Sequence, residues 1–264
     1  MKIAIIKIAI FLVLSFSGDQ GLKIFNENSL GFTINKQSLF CEDIQMFCAL
    51  LAKDKSPVRC DFNGDINFHN QVLPMDIYNY YENRGDEEYY TLLTKTTYGL
   101  PQDISFFTSE RLSNEHYLKE VMPNNKIQKV DDYYELEVGF GAPDITFTLD
   151  FFSNKELSEQ FPDLVGYFKK HDFMDQEPAI TVFQHNHKFS KILGQKTTKM
   201  SISITRYFDE GKDETLVINY TLNFIYNLPP AIFGGGDLLV NQMKEGVIAL
   251  VRDTRSTCQS ISEL

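Results

Sequence analysis

The segment Thr215–Leu228 constrains the fold more than any other part of this sequence. Side chains of a β-strand alternate between the two faces of a sheet, and the residues of this segment alternate in character along its whole length. The even positions are apolar or aromatic, whereas the odd positions, such as Asn219, Thr221 and Asn223, are mostly polar. The pattern predicts a long strand with one buried face and one wet face, in an antiparallel sheet that is covered on a single side.

A C-terminal amphipathic helix is predicted to provide that cover. The glycines at 234–236 allow a turn, Asp237 is a suitable helix N-cap, and the helix should run to about Thr257. Its apolar residues recur at helical spacing and form one stripe: Val240, Met243, Val247, Leu250 and Thr254. We expect this stripe to lie against the apolar face of the sheet.

The region before these two elements is predicted to mix strands with short helices. A strand, Tyr89–Tyr98, comes first, and a pair of short helices begins at Pro101, breaks at Ser113 and closes at Pro123. The amphipathic segment Asn154–Glu177 is predicted to be partly helical. Further strands are predicted at Ile127–Phe140, Asp144–Ser153, Ala179–Phe189 and Lys199–Phe208. The fold class is therefore α+β.

Two stretches of this region resemble a known superfamily. Leu100–Phe107 (LPQDISFF) resembles the helix that follows the first strand in the START-like, or helix-grip, superfamily (SRPBCC, Bet v 1-like). Leu228–Asp237, with the helix after it, resembles that superfamily's passage from the last strand to the C-terminal helix. Tyr117–Pro123 departs from the family pattern, because members often have a tryptophan-containing turn there and this chain has no tryptophan. The likeness covers roughly residues 85–258.

The resemblance implies a curved antiparallel sheet wrapped around the C-terminal helix, with a cavity between them for a lipid or another hydrophobic small molecule. The candidate lining residues are Tyr134, Leu136, Val138, Phe147, Leu149, Ile218, Tyr220, Leu222, Phe224, Tyr226, Met243 and Val247. Tyr220 and Tyr226 would offer the ligand a polar handle, because a buried phenol needs a hydrogen-bond partner. The segment Asn154–Glu177 is a candidate lid, or else an ordinary surface helix. A face of this composition also fits a plain filled core.

The first residues have the order of a secretory signal peptide. Met1–Ser17 begins with a lysine-containing stretch, continues as an apolar run and ends in small residues. We expect cleavage after Ser17 and export to the periplasm or out of the cell, with an uncleaved anchor as the alternative. The formal net charge of −11 argues against nucleic-acid binding and against attachment to anionic lipid through basic residues. Transient membrane contact and the oligomeric state stay open.

The region between the signal peptide and the START-like part is predicted to be a separate extension. The predicted division of the chain is a signal peptide (1–17), an N-terminal extension (18–85), a START-like domain (86–258) and a tail (259–264). The extension should contain a helix at Gln37–Lys53 and a hairpin at Arg59–Phe68 that turns at Asn63-Gly64. The polar segment Tyr78–Glu88 would then lead into the main domain.

Four cysteines, Cys41, Cys48, Cys60 and Cys258, suggest two disulfides in an exported chain. Cys41 and Cys48 are seven residues apart in the predicted helix, a rise of about 10.5 Å, and a disulfide spans at most roughly 7 Å between Cα atoms. This distance removes one of the three possible connectivities. Of the two that remain, we expect Cys48–Cys60 across a short loop, together with Cys41–Cys258, which would tie the extension to the C-terminal helix. Buried free thiols are the alternative.

Catalytic and metal-binding motifs are weak in this sequence. His185 and His187 lie two residues apart on a predicted strand, so both point to one face. Asp150 or Glu137 could complete a zinc site there, but solvent-side histidines, or one bonded inside the cavity, are favoured. No metal, cofactor or catalytic residue is predicted. The sequence favours a non-catalytic binding protein. The alternatives are a cyclase- or hydrolase-like enzyme that uses His185, His187 or Tyr220 for proton transfer, and an exported interaction domain with a filled core.

Overall fold

The structure is a computed structural model, which describes residues 60–61, 67–68, 75–84, 87–123, 125–137, 145–171, 176–189, 198–211, 213–225 and 235–262. The strands are β1 (Cys60–Asp61), β2 (Asn67–Phe68), β3 (Met75–Arg84), β4 (Glu87–Leu100), β5 (Lys126–Val130), β6 (Tyr133–Glu137), β7 (Ile145–Phe152), β8 (Ile180–Phe189), β9 (Thr198–Gly211) and β10 (Glu214–Ile225). The helices are α1 (Ser109–Leu112), α2 (Glu115–Val121), α3 (Asn154–Gln160), α4 (Pro162–His171) and α5 (Gly235–Ser262), with a 3-10 turn at Ile104–Phe106.

The strands form one antiparallel sheet in the order β1-β3-β4-β10-β9-β8-β7-β6-β5, with β2 also paired to β3. Strands β4 to β10 make the curved sheet that the sequence predicts, and α5 is the predicted long C-terminal helix. The α+β fold class is confirmed. The break between the two short helices is also confirmed, because Asn114 caps α2 by accepting from the backbone N–H groups of His116 and Tyr117.

The last turns of α5 dock where strand β4 ends. The guanidinium of Arg255 donates to the carbonyl of Gly99. In the opposite direction, the Gln102 side-chain amide donates to the carbonyl of Cys258 at 2.7 Å. These side-chain bonds attach the helix to the segment that follows β4.

Helix α5 runs back along the sheet from its far end. The chain leaves β10 at Ile225 and enters the helix at Gly235, while the last turns lie beside the start of β10. The helix continues to Ser262, beyond the predicted end at Thr257, because neither glycine nor proline stops it there. Neither this helix nor any other in the described part of the chain is long and apolar enough to cross a membrane.

The sheet is covered on both of its faces. Val217 and Ile218 are neighbours in β10 and therefore point to opposite sides. Val217 packs in a buried cluster with Cys258 of α5, whereas Ile218 packs in another cluster with Phe168 of α4. We name these two sides the α5 face and the α4 face. The expectation of a sheet covered on a single side is therefore wrong, since the segment between β7 and β8 covers the second side.

That covering segment begins with a well-defined helix start. Ser153 and Glu156 form a reciprocal capping box at the N-terminus of α3, and α4 begins at Pro162, a favoured first-turn residue. The helical prediction for Asn154–Glu177 is confirmed for these two helices. The prediction of a lid over the helix-covered side is wrong, because α3 and α4 pack on the opposite face of the sheet.

The N-terminal strands extend the same sheet. In β1, Cys60 pairs with Glu82 of β3, and in β2, Asn67 pairs with Ile77 of the same strand. Both short strands thus run in the same direction along one edge of β3, so the predicted hairpin at Arg59–Phe68 is wrong. The polar segment predicted to lead into the main domain belongs instead to the hairpin of β3 and β4. The helix predicted at Gln37–Lys53 lies outside the described residues.

The predicted strand Ile127–Phe140 is divided into β5 and β6. Val130 pairs with Tyr133 across a two-residue turn, in which Asp131 has a φ of 53°. Aspartate tolerates this left-handed conformation better than most residues do. The Asp131-Asp132 pair is therefore a turn signal, and the single long strand was a wrong prediction.

Candidate functional site

The residues predicted to line one cavity lie on two different faces of the sheet. Ile218, Tyr220 and Leu222 are buried on the α4 face. Tyr220 is 2% exposed and its ring lies 5.3 Å from that of Phe168 in α4. These three side chains therefore belong to a closed core under α3 and α4, and their predicted contact with the C-terminal helix is wrong. An apolar alternation shows that a face is buried, but it does not show which element buries it.

Four of the predicted residues do lie on the α5 face. Tyr134 stacks on Phe147 with ring centroids 5.0 Å apart, and its hydroxyl donates to the carbonyl of Ser113 at 2.5 Å. Leu136 and Leu149 pack beside this pair. Together these side chains close the end of the face near α2. Val247 of α5 is half-buried. Val138 and Tyr226, and the side chains of Phe224 and Met243, lie outside the described part of the structure.

The α5 face is apolar where the last turns of the helix dock. Val217 pairs with Tyr98 on one side and with Tyr207 on the other, and Cys258 is fully buried beside them. Phe107 stacks on Tyr207 with centroids 5.0 Å apart. Burial raises the pKa of the Tyr98 and Tyr207 phenols well above the ordinary tyrosine value, and it raises the pKa of the Cys258 thiol to about 12. Neither a phenolate nor a thiolate is therefore available here at neutral pH.

Tyr98 and Tyr207 nevertheless keep accessible surface, although they lie deep in the fold. Both side chains are only half-buried, as are Leu149 and Phe151 of β7 on the same face. On the α4 face, by contrast, Phe168 and Tyr220 have almost none. The α5 face thus combines buried residues, such as Val217 and Cys258, with aromatic residues that keep some accessible surface.

Further along the α5 face, the side chains become polar. The polar residues that share this face by strand register are Thr94, Thr96, Asn219, Thr221, Asn223, Ser201, Ser203, Thr205, Gln184 and Asn186. Two apolar residues lie in the same rows, Leu92 opposite Asn223 and Val182 opposite Thr205. We name the polar set the hydroxyl–amide patch. It covers the same face of four adjacent strands, β4, β10, β9 and β8, beyond the row formed by Tyr98, Val217 and Tyr207.

Hydrogen bonds connect much of the hydroxyl–amide patch. The side-chain amide of Asn219 donates to the hydroxyls of Ser203 at 2.8 Å and Thr205 at 2.7 Å. Its carbonyl oxygen accepts from the hydroxyl of Thr221 at 2.9 Å. On β8, Gln184 donates to Asn186, which donates to Ser201. The bonds hold these side chains in fixed directions and leave a surface of hydroxyl and amide groups.

Two buried members of the patch have polar atoms without a partner. Thr96 is 1% exposed and Asn223 is 3% exposed. Among the described residues, neither the hydroxyl of Thr96 nor either polar atom of the Asn223 amide makes a hydrogen bond. Burying a polar group without a partner costs about 1–3 kcal/mol. Thr181 on the closed α4 face has the same feature for one hydroxyl, whereas Asn223 leaves both its amide nitrogen and its amide oxygen without a bond among the described residues.

The two histidines lie on the α4 face, apart from the patch. His185 packs against Phe183 of the α4-face core and lies 3.4 Å from the carboxylate of Asp150. Burial lowers the pKa of His185 despite the opposing effect of Asp150. His187 stacks on His185 and bonds the hydroxyl of Thr148 at 2.8 Å. Within the described residues, no three His, Cys, Asp or Glu side chains come close enough to hold a metal ion.

Cys258 is the one cysteine whose side chain the structure describes, and it lies on the buried side of α5. Cys41 and Cys48 lie outside the described residues, and so does the side chain of Cys60. In the structure Cys258 is a buried thiol and not part of a disulfide, so the predicted pair Cys41–Cys258 is not supported, while the pair Cys48–Cys60 remains a prediction.

The hydroxyl–amide patch was missed because its polar residues were interpreted as a wet face. A usable signal was present in the sequence. Asn219, Thr221 and Asn223 alternate in β10, Ser201, Ser203 and Thr205 alternate in β9, and none of the six carries a charge. The absence of Lys and Glu from these positions distinguishes the run from a fully exposed strand face, on which charged residues are common.

Comparison with known proteins finds similar folds among solved structures and no similar sequence. No protein-family model and no curated protein matches the sequence. A START superfamily protein from Mycobacterium smegmatis matches in structure, with a TM-score of 0.38 and 12% identity, over 64% of this chain and 98% of that one. Norcoclaurine synthase from Thalictrum flavum, solved with dopamine and hydroxybenzaldehyde, matches with a TM-score of 0.39 and 10% identity, over 66% of this chain and 88% of that one.

A third solved structure that matches is the Zhui aromatase/cyclase from Streptomyces sp. R1128, with a TM-score of 0.39 and 9% identity, over 64% of this chain and 94% of that one. The predicted resemblance to START-like proteins is thus found again among solved structures. At TM-scores and identities this low, the likeness concerns the course of the chain and carries no information on ligand or reaction.

Proposed function

We propose that this protein binds a small organic molecule between the α5 face and helix α5, and that it does not transform the molecule chemically. The observation that carries the proposal is the hydroxyl–amide patch, which lies where a closed core would have apolar side chains. Thr96 and Asn223 are nearly inaccessible, yet their polar atoms have no partner among the described residues. A bound molecule that supplied those hydrogen bonds would offset the cost of burying them.

The exposure of the aromatic residues beside the patch supports the same site. Tyr98 and Tyr207 keep accessible surface although burial raises the pKa of both phenols. This combination is expected of side chains that line an internal space. Ligand sites usually combine apolar and aromatic walls with a few fixed polar groups, and the α5 face has both.

The chemistry of the face favours binding without catalysis. The thiol of Cys258 has a pKa raised to about 12, so it is a poor nucleophile at neutral pH. The enzyme alternative depended on His185, His187 and Tyr220, whose side chains lie on the other face of the sheet. Within the described part of the hydroxyl–amide patch, no side chain titrates near neutral pH.

Export of the protein is a further part of this proposal. It is supported by the lysine-containing, then apolar, start Met1–Ser17. The mass of protein purified from the exported fraction tests it directly. A mass that starts at residue 18 is expected, and an intact mass that begins at Met1 would contradict cleavage.

The binding proposal is tested by native mass spectrometry of the full purified chain, followed by organic extraction of whatever it releases. Two matched variants are compared with the wild type. Thr96→Val removes a buried hydroxyl on the α5 face, and Thr181→Val removes an equally buried hydroxyl on the α4 face, also without a partner among the described residues. Both changes preserve side-chain shape.

We expect a bound organic molecule on the wild type and on Thr181→Val, and several-fold lower occupancy on Thr96→Val. Loss of the adduct from both variants alike would contradict the placement of the site. A wild-type protein of bare polypeptide mass, with nothing extractable, would contradict the proposal itself.

A further inference from the structure

The polar groups of the α5 face indicate a specific class of ligand, provided that the proposed binding function holds. Every residue of the hydroxyl–amide patch is Thr, Ser, Asn or Gln. None of these side chains carries a charge at any ordinary pH. Hydroxyls and carboxamides each present both donors and acceptors, so the wall can bond a partner that is itself both donor and acceptor.

A charged headgroup would fit this wall poorly. A carboxylate or phosphate taken out of water needs a cation or several aligned N–H donors to offset its desolvation. The nearest cationic side chains described on the central strands, Lys95 and Arg206, lie on the α4 face. Lys95 lies over the ring of Tyr220, and Arg206 lies over the ring of Phe168 at 4.2 Å. The central strands thus place these two cations on the side opposite to the patch, whereas on the α5 face Lys129 lies on the edge strand β5, over the ring of Tyr134.

The α5 face also changes from polar to apolar along its length. The hydroxyl–amide patch occupies one part, while Tyr98, Tyr207, Leu149 and Phe151 provide half-buried apolar surface in the adjoining part. A molecule that filled both parts would need a polar end and an apolar end. The Asn223 amide, with both polar atoms unbonded among the described residues, lies in the polar part.

We infer that the ligand is an uncharged amphiphile, with a hydroxyl-rich head of the glycosyl or polyol class in the hydroxyl–amide patch and an apolar portion against Tyr98 and Tyr207. Its hydroxyls would donate to and accept from Asn223 and Thr96, which completes their hydrogen bonds. The head would be neutral because the patch has no charge with which to pair.

Calorimetric titration of the full purified chain with three probes that share an eight-carbon chain tests this inference. The probes are octyl β-glucoside and octanoate, each below its micelle-forming concentration, and 1-octanol below its solubility limit. They differ only in the head, which is a neutral polyol, a single hydroxyl or a carboxylate. We expect the glucoside to bind about tenfold or more tightly than octanol, since a few net hydrogen bonds are worth that ratio. We expect octanoate to bind more weakly than octanol.

Variants of patch residues test where the polar head of the glucoside binds. Thr221→Val and Asn223→Leu should bring the affinity for the glucoside down towards that for octanol, while the affinity for octanol changes little. Thr181→Val on the α4 face is the control and should leave all three affinities unchanged. The valine variant keeps side-chain shape, so it remains informative even if Asn223→Leu fails to fold.

The outcomes separate this inference from the proposed function. Octanoate binding as tightly as the glucoside, or the glucoside binding no better than octanol, would overturn the neutral-head inference and leave a binding site in place. If none of the three probes bound and the purified chain carried no extractable molecule, both the inference and the proposed function would be overturned.

Discussion

The two faces of one sheet differ in how they are filled. On the α4 face, Phe168, Phe183 and Tyr220 pack together with almost no exposed surface. On the α5 face, the aromatic residues Tyr98 and Tyr207 keep accessible surface, and the strands beyond them present hydroxyls and amides. Both faces come from the same alternating strands. The difference shows that the polar positions of a strand can be buried, as Thr96, Ser201 and Asn223 are.

The largest expected effect contrasts two phenylalanines on neighbouring strands. Phe183→Ala removes a ring that is 1% exposed on the α4 face and should reduce the free energy of unfolding by about 3–5 kcal/mol. Phe151→Ala removes a half-buried ring on the α5 face and should cost about half as much, because less apolar surface returns to water. Urea unfolding measures both. Equal costs would mean that the α5 face is packed as closely as the α4 face.

A second test uses the tyrosines near the docked end of α5. Burial raises the pKa of Tyr98, Tyr117 and Tyr207 above the value of about 10 in an unfolded chain. Above about pH 10 the unfolded chain loses these tyrosine protons before the folded protein does. The stability that the buried phenols contribute is therefore complete below about pH 10 and is lost as the pH rises further.

Phenolate absorbance follows this titration without interference, because the chain has 13 tyrosines and no tryptophan. A subset of phenols should stay protonated until the protein unfolds, and Tyr207→Phe should shrink that subset by one. Ionisation of every tyrosine in one step near pH 10, before unfolding, would contradict the burial of this cluster.

The smallest expected effect concerns His185 on the α4 face. Burial lowers its pKa in the folded state, so between its folded and unfolded pKa values the unfolded chain binds more protons. Stability should therefore fall as the pH decreases through about 6.5, the ordinary histidine value. His185→Gln should lose less stability between pH 7 and pH 5 than the wild type. His116→Gln, at a ring that is 83% exposed, controls for the loss of a histidine, and an equal change in both variants would contradict the assignment.

Element order and periodicity were enough to predict the fold class, the long last strand, the C-terminal helix and the break at Ser113. Each depends on local signals, namely alternation, caps and helix spacing. The position of α3 and α4 could not be predicted in that way, because an amphipathic segment packs equally well on either face of a sheet. The apolar even positions Ile218, Tyr220 and Leu222 were for that reason assigned to the wrong helix.

The candidate site stays a proposal, and the sequence assigned part of the α5 face correctly. Tyr134, Phe147 and Leu149 lie on that face, where Tyr134 and Phe147 pack beside Leu118 of α2. The polar wall was missed because Asn219 and Asn223 were taken as solvent-facing. The Asn63-Gly64 turn signal led to the wrong prediction of a hairpin. The strands before and after it, β1 and β2, pair with the open edge of β3 and not with each other.

Chemical accessibility of matched cysteines tests the central contrast most directly. Thr221→Cys on β10 places a thiol in the half-buried hydroxyl–amide patch, and Thr181→Cys on β8 places one in the closed α4 face, where Thr181 is 0% exposed. Each folded variant is treated with a small thiol reagent, and peptide mass mapping separates the new site from the native cysteines. We predict that Thr221→Cys is modified in the native state and that Thr181→Cys is modified only on unfolding. Equal protection of the two thiols would mean that the α5 face is a filled core, and would contradict the account.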